Sequence, residues 1–299
     1  MATYSAYGLA LASELALPDL DAAGSDEPDE PDVRVRLGPV TPPSADATML
    51  PLGLWVDGER VGIDVPEVGR YSCEDGRLIT VQADAGATDD ALRLFLLGSA
   101  LGIVLAQRGH LVLHGNAFRV GDACAVVLGH SGAGKSTLAA EMHRRGHPVL
   151  SDDVVPIDVD GNAIPGWARI KLWQDALDRL GRPSADLARV APAHDKFHVP
   201  IEREVLEPLP VRWIYLLDRY DGPLRLTPIT GAEVFACLHE HGYRNEVLVG
   251  ALRRTHFARS ATLAGRARFV RVERPRGVDS VVASADAILA DVTSGSPGR

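Results

Sequence analysis

The stretch ACAVVLGHSGAGKSTLAAEMHRR, residues 123–145, decides the fold. It begins with a continuous apolar run, Ala123–Leu128, as expected of a strand buried on both faces. A turn that fits the pattern GxxxxGK[ST] follows from Gly129 to Ser136, and a helical pattern continues until Gly146. This order of strand, glycine loop and helix predicts an α/β fold with an anion-binding loop at the end of a buried strand.

The glycine pattern is a specific signal. With glycine at about 0.1, lysine at about 0.01 and Ser/Thr at about 0.1, a chain of this length contains it by chance roughly 0.003 times. In such loops the glycines turn backbone N–H groups inward, Lys135 reaches the β- and γ-phosphates, and Ser136 can ligate Mg²⁺. The sequence therefore predicts a nucleotide site. Its predicted binding residues are Gly129, Ser131, Gly132, Ala133, Gly134, Lys135, Ser136 and Thr137.

Composition limits the class of protein. The net charge of −9 gives no general attraction to nucleic acid or to anionic membranes, so neither is expected as a partner. The three cysteines lack metal or redox spacing, which indicates a reducing compartment. The N-terminus lacks a basic region before its apolar stretch, and the longest apolar run, Leu94–Ala106, is too short to span a bilayer. We therefore expect a cytoplasmic protein.

Turn signals and alternating apolar runs predict the domain organisation. Runs such as Val33–Leu37 and Val61–Val65 indicate strands, and the acidic, proline-bearing segment 21–32 indicates a solvated loop. Thr88 is the predicted cap of a helix that carries Leu92–Gln107. The predicted domains are a small β-rich region over 1–88, a P-loop catalytic domain over 89–293 and a disordered tail over 294–299.

An acidic pair follows the glycine loop at a short distance. Asp152 and Asp153 lie just beyond a short predicted strand, 17 residues after Lys135. If that strand is a parallel neighbour of the strand before the loop, both motifs lie at the same edge of the sheet. One carboxylate would then support Mg²⁺ and the other would accept a proton from an incoming hydroxyl. The sequence leaves the two roles open, with Ser136 and Asp153 as the predicted metal pair and a solvated Asp-Asp turn as the alternative.

Other polar residues are weaker candidates. His114 ends a predicted strand and could tune an aspartate by a hydrogen bond, although a structural histidine is the alternative. Only three of the 31 basic residues are lysines, so Lys171 and Lys196 could mark places that need a compact charge, with ordinary surface positions as the alternative. Lys171, Lys196, Arg169 and Arg254 are candidates for neutralising a transferred phosphoryl group.

Three further histidines are given no chemical role. His130 occupies a position in the glycine loop that accepts many side chains. His194 and His198 flank Lys196 in HDKFH, but the prolines on either side argue against the helix that would place both on one metal.

The segment Leu111–Ile157 resembles the catalytic core of the HPr kinase/phosphorylase family. Four motifs of that family occur here in order: His114-Gly115, the loop Gly129–Ser136, Arg145-Gly146-His147 and Asp152-Asp153. The resemblance implies a fold of the HPr kinase and phosphoenolpyruvate carboxykinase nucleotide-domain type. It also implies ATP and Mg²⁺ as cofactors, phosphorylation of a serine hydroxyl, and a catalytic group that comprises the acidic pair, His114 and Lys135.

The chain also departs from that family. Thr137 stands where the family's loop usually carries an acidic residue, and the segment 166–181 lacks the arginine- and glycine-rich signature linked with phosphorylase activity and HPr docking. The opening segment 4–20 is similar instead to divergent HPr-kinase-like proteins of lasso-peptide biosynthesis, which implies a serine of a precursor peptide as acceptor.

Three functions remain open from the sequence. The first is a Mg-ATP-dependent kinase that acts on a serine of a peptide or small protein; family members often form oligomers, so a homo-oligomer is one option. The second is a kinase of a small-molecule hydroxyl. The third is a nucleotide-sensing regulator in which the acidic pair only binds Mg²⁺.

Overall fold

The computed structural model of the chain describes residues 1–22, 30–167, 169–179, 181–191, 194–201, 207–275 and 280–294. The chain divides into two compact units, Met1–Val112 with Arg244–His256 and Leu113–Tyr243 with Phe257–Arg299. The described residues form a mixed α/β protein with three sheets. None of the described helices is both long enough and apolar enough to cross a membrane.

The division between the units differs from the boundary predicted at residue 88. The helical segment after Thr88 belongs with the strands before it, and Tyr71 of one strand donates a hydrogen bond to the Leu92 carbonyl at 3.0 Å. Residues 23–29 of the predicted acidic loop lie outside the described residues, as do residues 295–299 of the predicted tail.

One sheet of nine strands makes up most of the first unit. Its order is β3-β1-β2-β4-β9-β8-β7-β6-β5, and β4 pairs in parallel with both β2 and β9. The sequence of residues 3–20 predicts one strand that ends at Pro18, but the segment contains a hairpin, because Tyr7 and Gly8 both adopt positive φ and reverse the chain. The strands are β1 (Ala2–Ala6), β2 (Leu9–Ser13), β3 (Asp21–Ala22), β4 (Val33–Leu37), β5 (Thr48–Met49), β6 (Leu54–Asp57), β7 (Arg60–Val65), β8 (Gly69–Glu74) and β9 (Leu78–Ala83).

The helical segment of this unit starts at its predicted cap. The hydroxyl of Thr88 accepts a hydrogen bond from the Ala91 N–H at 3.2 Å, which satisfies a donor of the first turn and confirms the prediction. Helix α1 (Asp89–Phe95) continues through a π-helical turn, Leu96–Ala100, into α2 (Leu101–Gln107).

A seven-stranded sheet forms the centre of the second unit. Its order is β11-β10-β12-β13-β17-β19-β18, and β11 also pairs in parallel with β17, which pairs in parallel with β19. The carboxyl ends of β11, β17 and β19 therefore lie at one edge of the sheet. The strands are β10 (Leu111–Val120), β11 (Ala123–Leu128), β12 (Val149–Ile157), β13 (Asn162–Ala163), β17 (Leu209–Arg219), β18 (Arg225–Pro228) and β19 (Arg268–Arg274).

A small sheet and several helices complete the fold. The small sheet contains β14 (Arg169–Trp173), β15 (Arg189–Ala191) and β16 (His194–Pro200), with β16 in the middle. The remaining α-helices are α3 (Lys135–Arg144), α4 (Gln174–Arg179), α5 (Ala232–Glu240), α6 (Gly250–Ala264) and α7 (Ser280–Ser294). Short 3₁₀ turns lie at Pro51–Gly53 and Asn245–Val247. Buried apolar residues of β11, α3, β14, β17 and α7 form a common core in the second unit.

Two local predictions were wrong. Asp152 and Asp153 lie inside the continuous strand β12 rather than at the exit of a short strand, and β12 is separated from β11 by β10. The pattern KLWQDALDRLG predicts a helix over residues 171–181, but a helix is present only over Gln174–Arg179, because residues 169–173 form β14 and pair with β16. In both places, hydrogen bonding between strands overrides the local pattern.

Candidate functional site

The glycine loop connects β11 to α3 and requires glycine at defined positions. Gly129 has a φ of 145°, and a Cβ atom there would lie 2.9 Å from the Leu217 carbonyl oxygen. Gly134 has a φ of 91° and precedes α3, and a Cβ atom there would clash with the Arg274 guanidinium. Gly132 also has a positive φ, 77°, but no atom lies within 4 Å of its Cβ position. The loop is thus packed at both ends and open at Gly132.

Lys135 is the buried cation of this loop. Its side-chain ammonium donates to the Gly129 carbonyl at 2.6 Å and to the His130 carbonyl at 3.3 Å. Burial lowers its pKa to about 8, against the opposing effect of Asp153 and then Asp152. The ammonium is therefore mostly protonated at pH 7 but titrates within reach of ordinary buffers.

Asp152 lies beside the loop. Its Oδ1 accepts a hydrogen bond from the Ser136 hydroxyl at 3.0 Å, and its Oδ2 accepts one from the Lys171 backbone N–H at 2.8 Å. Burial raises the pKa of Asp152, and the Lys171 amide opposes this only in part. Within the described part of the chain, Asp152 has no ion-pair partner.

Asp153 is the next residue, but its surroundings are different. Its Oδ2 accepts a hydrogen bond from the Lys171 ammonium at 2.6 Å, and its Oδ1 lies 3.4 Å from Nδ1 of His114. Burial raises the pKa of Asp153, but Lys171 and then His114 outweigh burial and hold this pKa well below its usual range. The backbone of Asp153 has a φ of 75°, in the left-handed region, where aspartate is among the better-tolerated side chains.

His114 is fixed against the acidic pair by β10. Its backbone N–H donates to the His241 carbonyl at 2.8 Å, and its Nδ1 lies 3.0 Å from the Asp153 carbonyl oxygen. Because that oxygen can only accept, Nδ1 carries the proton of the hydrogen bond. Burial, and then the charge of Lys135, lowers the pKa of His114, so the ring is neutral at pH 7.

One cavity of about 480 Å³ brings these groups together. Among the predicted site residues, the acidic pair, His114 and most of the glycine loop line this cavity. All three lysines of the chain line it, although they lie on α3, β14 and β16. Gly129 and Ala133 are not among its lining residues: Gly129 forms the turn, and Ala133 is buried. The residues that line it include His114, Ser131, Gly132, Gly134, Lys135, Ser136, Thr137, Asp152, Asp153, Lys171, Trp173, Lys196, Arg219 and Arg274.

Comparisons with known proteins give a distant likeness. No family model matches the chain, and no curated protein does. Among solved structures, the chain is similar to the Hpr(Ser) kinase/phosphatase from Coxiella burnetii, with 12% identity and a TM-score of 0.32. That match covers 61% of this chain and 91% of the other.

Two arginines that line the cavity were not predicted as site residues from the sequence. Arg219 ends β17 and donates to the Gly132 carbonyl, whereas Arg274 ends β19 and donates to the Ala133 carbonyl. Arg219 and Arg274 are register partners in the parallel pair of strands. A basic residue at the carboxyl end of a strand in a parallel sheet was the available signal, because ligands bind at that edge.

The other predicted cations and histidines have different places. Arg169 stacks over the Trp167 ring at 5.0 Å, and neither Arg169 nor Arg254 is among the residues that line the cavity. Lys196 lies 5.8 Å from the centre of the Trp173 ring. His198 is paired with Lys171 across β14 and β16, and burial, with Arg169 next, lowers its pKa to about 3.

Proposed function

We propose that the protein is a Mg-ATP-dependent kinase that transfers the γ-phosphoryl group to a serine hydroxyl of a peptide or small protein. One observation carries this proposal: Ser136 of the glycine loop bonds Asp152 at 3.0 Å, while the adjacent Asp153 faces the same cavity in contact with Lys171 and His114. An anion-binding loop, a site for a cation and a candidate proton acceptor are therefore contiguous.

The loop fits the phosphates of a nucleotide. Positive φ at Gly132 and Gly134 is the backbone arrangement that presents successive N–H groups to an anion, and α3, of ten residues, directs its N-terminus to the same place. The open space at Gly132 leaves the loop accessible from the cavity. In the proposal, Lys135 supplies the charge that pairs with the β- and γ-phosphates.

The oxygen atoms of Ser136 and Asp152 fit Mg²⁺. Mg²⁺ prefers hard oxygen ligands, and one protein carboxylate with a hydroxyl and the phosphates is a usual set. Asp152 is partly buried and has no ion pair among the described residues, so a cation there would compensate its charge. The predicted metal pair, Ser136 with Asp153, is therefore revised to Ser136 with Asp152. Bound Mg²⁺ would neutralise charge on the phosphates.

Asp153 is the proposed proton acceptor. The Lys171 ammonium holds its carboxylate ionised, and the contacts with Lys171 and His114 fix the orientation of Asp153. In the reaction, a bond forms between the acceptor oxygen and the γ-phosphorus, the bond from that phosphorus to the β,γ-bridging oxygen breaks, and the hydroxyl proton passes to Asp153. The lowered pKa keeps the Asp153 carboxylate deprotonated, and so able to accept a proton, at neutral pH.

Four cationic side chains surround the place where phosphoryl charge would develop. Lys171 and Lys196 come from the small sheet, and Arg219 and Arg274 come from the ends of parallel strands. Fixed cations aimed at developing charge stabilise a transition state without reorganisation. Lys171 and Lys196 are thus proposed for neutralising the transferred phosphoryl group, whereas Arg169 and Arg254, the other two candidates from the sequence, do not line the cavity.

The acceptor class comes from the sequence resemblance, with a lasso-type precursor peptide as a specific case. The acceptor class can be tested with labelled ATP, offered with serine-containing peptides and separately with small-molecule alcohols. The product that carries the label identifies the acceptor. Transfer to a peptide serine is expected.

Asp153→Asn tests the mechanism, because asparagine also tolerates the positive φ at this position. We expect phosphoryl transfer to fall by at least about 10²-fold, the low end for loss of a general base, while affinity for a non-hydrolysable ATP analogue is retained. The matched control is Asp152→Asn, which should lower phosphoryl transfer and should also weaken the Mg²⁺ dependence of nucleotide binding. Full transfer activity in Asp153→Asn would refute the assignment.

A further inference from the structure

A second group of metal-ligating side chains lies beside the glycine loop. His130, Glu240 and His241 each offer one ligand atom, and these atoms all lie within 4.8 Å of one another. Nε2 of His130 is 3.2 Å from a carboxylate oxygen of Glu240, and the rings of His130 and His241 are 5.2 Å apart, edge to face. The proposed mechanism uses none of these three side chains.

Two segments of the second unit bring the three residues together. Glu240 is the last residue of α5, and His241 caps that helix through its backbone N–H, which donates to the Cys237 carbonyl at 3.0 Å. His130 is the second residue of the glycine loop. The side chains of His130 and Glu240 are 75% and 55% exposed, whereas His241 is buried, so the group is anchored at one side and open at the other.

We propose that His130, Glu240 and His241 bind a zinc ion. Zinc takes imidazole nitrogen and carboxylate oxygen at about 2.0–2.2 Å, and two histidines with one glutamate are an established ligand set. In a tetrahedral site with such bonds, two ligand atoms are about 3.3 Å apart, which matches the distance between His130 and Glu240. The third ligand atom, from His241, lies within 4.8 Å of the other two, so a movement of at most about 1.5 Å would bring it to the spacing of a tetrahedral site.

The surroundings favour a cation at this place. The C-terminus of α5, a helix of nine residues, directs its partial negative charge to the point where Glu240 and His241 lie. A cavity of about 190 Å³ opens beside the group and leaves it accessible to an ion. Arg271 also lines this cavity and is ion-paired with Asp218 and Glu233. The carboxylate available to a metal is therefore that of Glu240. A hydrogen bond explains why the side chains of His130 and Glu240 are close together. It does not explain why the imidazole of His241 lies at the same point.

The zinc site would also act on the glycine loop, and this link rests on the proposed nucleotide binding whereas the site itself does not. The carbonyl of His130 accepts hydrogen bonds from the Lys135 ammonium and from the Ala133 N–H, and the carbonyl of His241 accepts one from the His114 N–H. An ion that fixes the two histidines would therefore fix the partners of Lys135 and His114. We expect zinc and nucleotide to change each other's affinity by the same factor.

The experiment is a calorimetric titration of the full-length protein with Zn²⁺ in excess Mg²⁺. Mg²⁺ occupies sites made of oxygen ligands, such as Ser136 with Asp152, but competes poorly for imidazole. We expect one zinc ion per chain in the wild type. Glu240→Gln and His130→Gln should each weaken it more than about tenfold, because even the loss of second-shell partners costs about 10–100-fold.

The matched control is His239→Gln, since His239 is an exposed histidine of the same helix end that is not part of the group. It should bind zinc as the wild type does. Both test residues are exposed, so the variants should fold, and unchanged melting temperatures check this. Absence of stoichiometric zinc in the wild type, or equal binding by all variants, would overturn the site. Nucleotide affinity that does not respond to saturating zinc would overturn the link.

Discussion

The glycine loop and the small sheet of β14, β15 and β16 contribute to one cavity in different ways. The loop is a contiguous segment, and what it offers an anion is mainly backbone N–H groups held by glycines at positive φ. The small sheet offers side-chain charges, Lys171 and Lys196, which strand pairing between β14 and β16 brings together. The loop suits recognition of an anion, and the small sheet suits control of charge on the acidic pair.

The two residues of the acidic pair, Asp152 and Asp153, show the same difference in their surroundings. Asp152 contacts the loop through Ser136 and has a raised pKa because of burial, whereas Asp153 contacts the small sheet through Lys171 and has a lowered pKa. Adjacent carboxylates whose pKa values are pushed apart can take different roles in one reaction. In the proposed mechanism, the two regions therefore separate metal binding from proton transfer.

The largest effect should follow from removal of the small sheet's contact with Asp153. In Lys171→Met the ammonium 2.6 Å from Asp153 is lost, and we expect the rate of phosphoryl transfer to fall by about 10²–10³-fold. Affinity for a non-hydrolysable ATP analogue should change little, because the loop is intact. Single-turnover transfer and equilibrium binding measure the two quantities, with Lys171→Arg as the charge-retaining control. Equal losses in rate and affinity would show that the two regions act as one.

A smaller effect should separate two glycines of the loop. Gly134→Ala places a methyl group against Arg274 at a φ of 91°, and we expect it to lower the free energy of unfolding by about 2–3 kcal/mol. Gly132→Ala meets open space at a φ of 77°, so only backbone strain of about 1 kcal/mol applies. Urea unfolding of the two variants measures the difference. Equal destabilisation would mean that Arg274 does not anchor the loop.

The smallest effect should be a pH dependence of nucleotide affinity that comes from the loop alone. The pKa of Lys135 is lowered to about 8 by burial, and a bound phosphate would raise it, so the protonated form binds more tightly. Affinity for an ATP analogue should thus be nearly constant below about pH 7 and fall as the pH rises through 8, by up to about tenfold per pH unit. Fluorescence titrations over this range test the slope. Lys135→Arg stays charged and should abolish it; a slope that persists would assign it to another group.

The contiguous parts of the site could be predicted from sequence, but the assembled parts could not. The glycine loop and the Thr88 cap depend on residues that are close in the chain, so their patterns carry the information. The position of Asp153 inside β12 and of Lys171 in β14 depends on pairing with distant strands. Arg219 and Arg274 meet because β17 and β19 are parallel and in register, which single-sequence patterns do not fix.

The shortage of lysine was a useful but incomplete signal. It drew attention to Lys135, Lys171 and Lys196, and the structure places all three around one cavity. It did not predict which of them would contact an aspartate, because the segment with Lys171 has a helical pattern and forms a strand. Composition indicated which lysines were candidates for the site, but the distances between them depend on how the strands pair in the folded protein.

The left-handed backbone of Asp153 affects how substitutions there should be read. Valine, isoleucine or threonine at this position would be penalised by the main chain alone, whereas asparagine and glycine would fit. A library screen that retained only short polar side chains at residue 153 would therefore report folding as well as chemistry. Among the residues that this backbone conformation allows, only an ionised carboxylate could accept the proton in the proposed reaction, so a comparison of aspartate with asparagine isolates the chemical requirement.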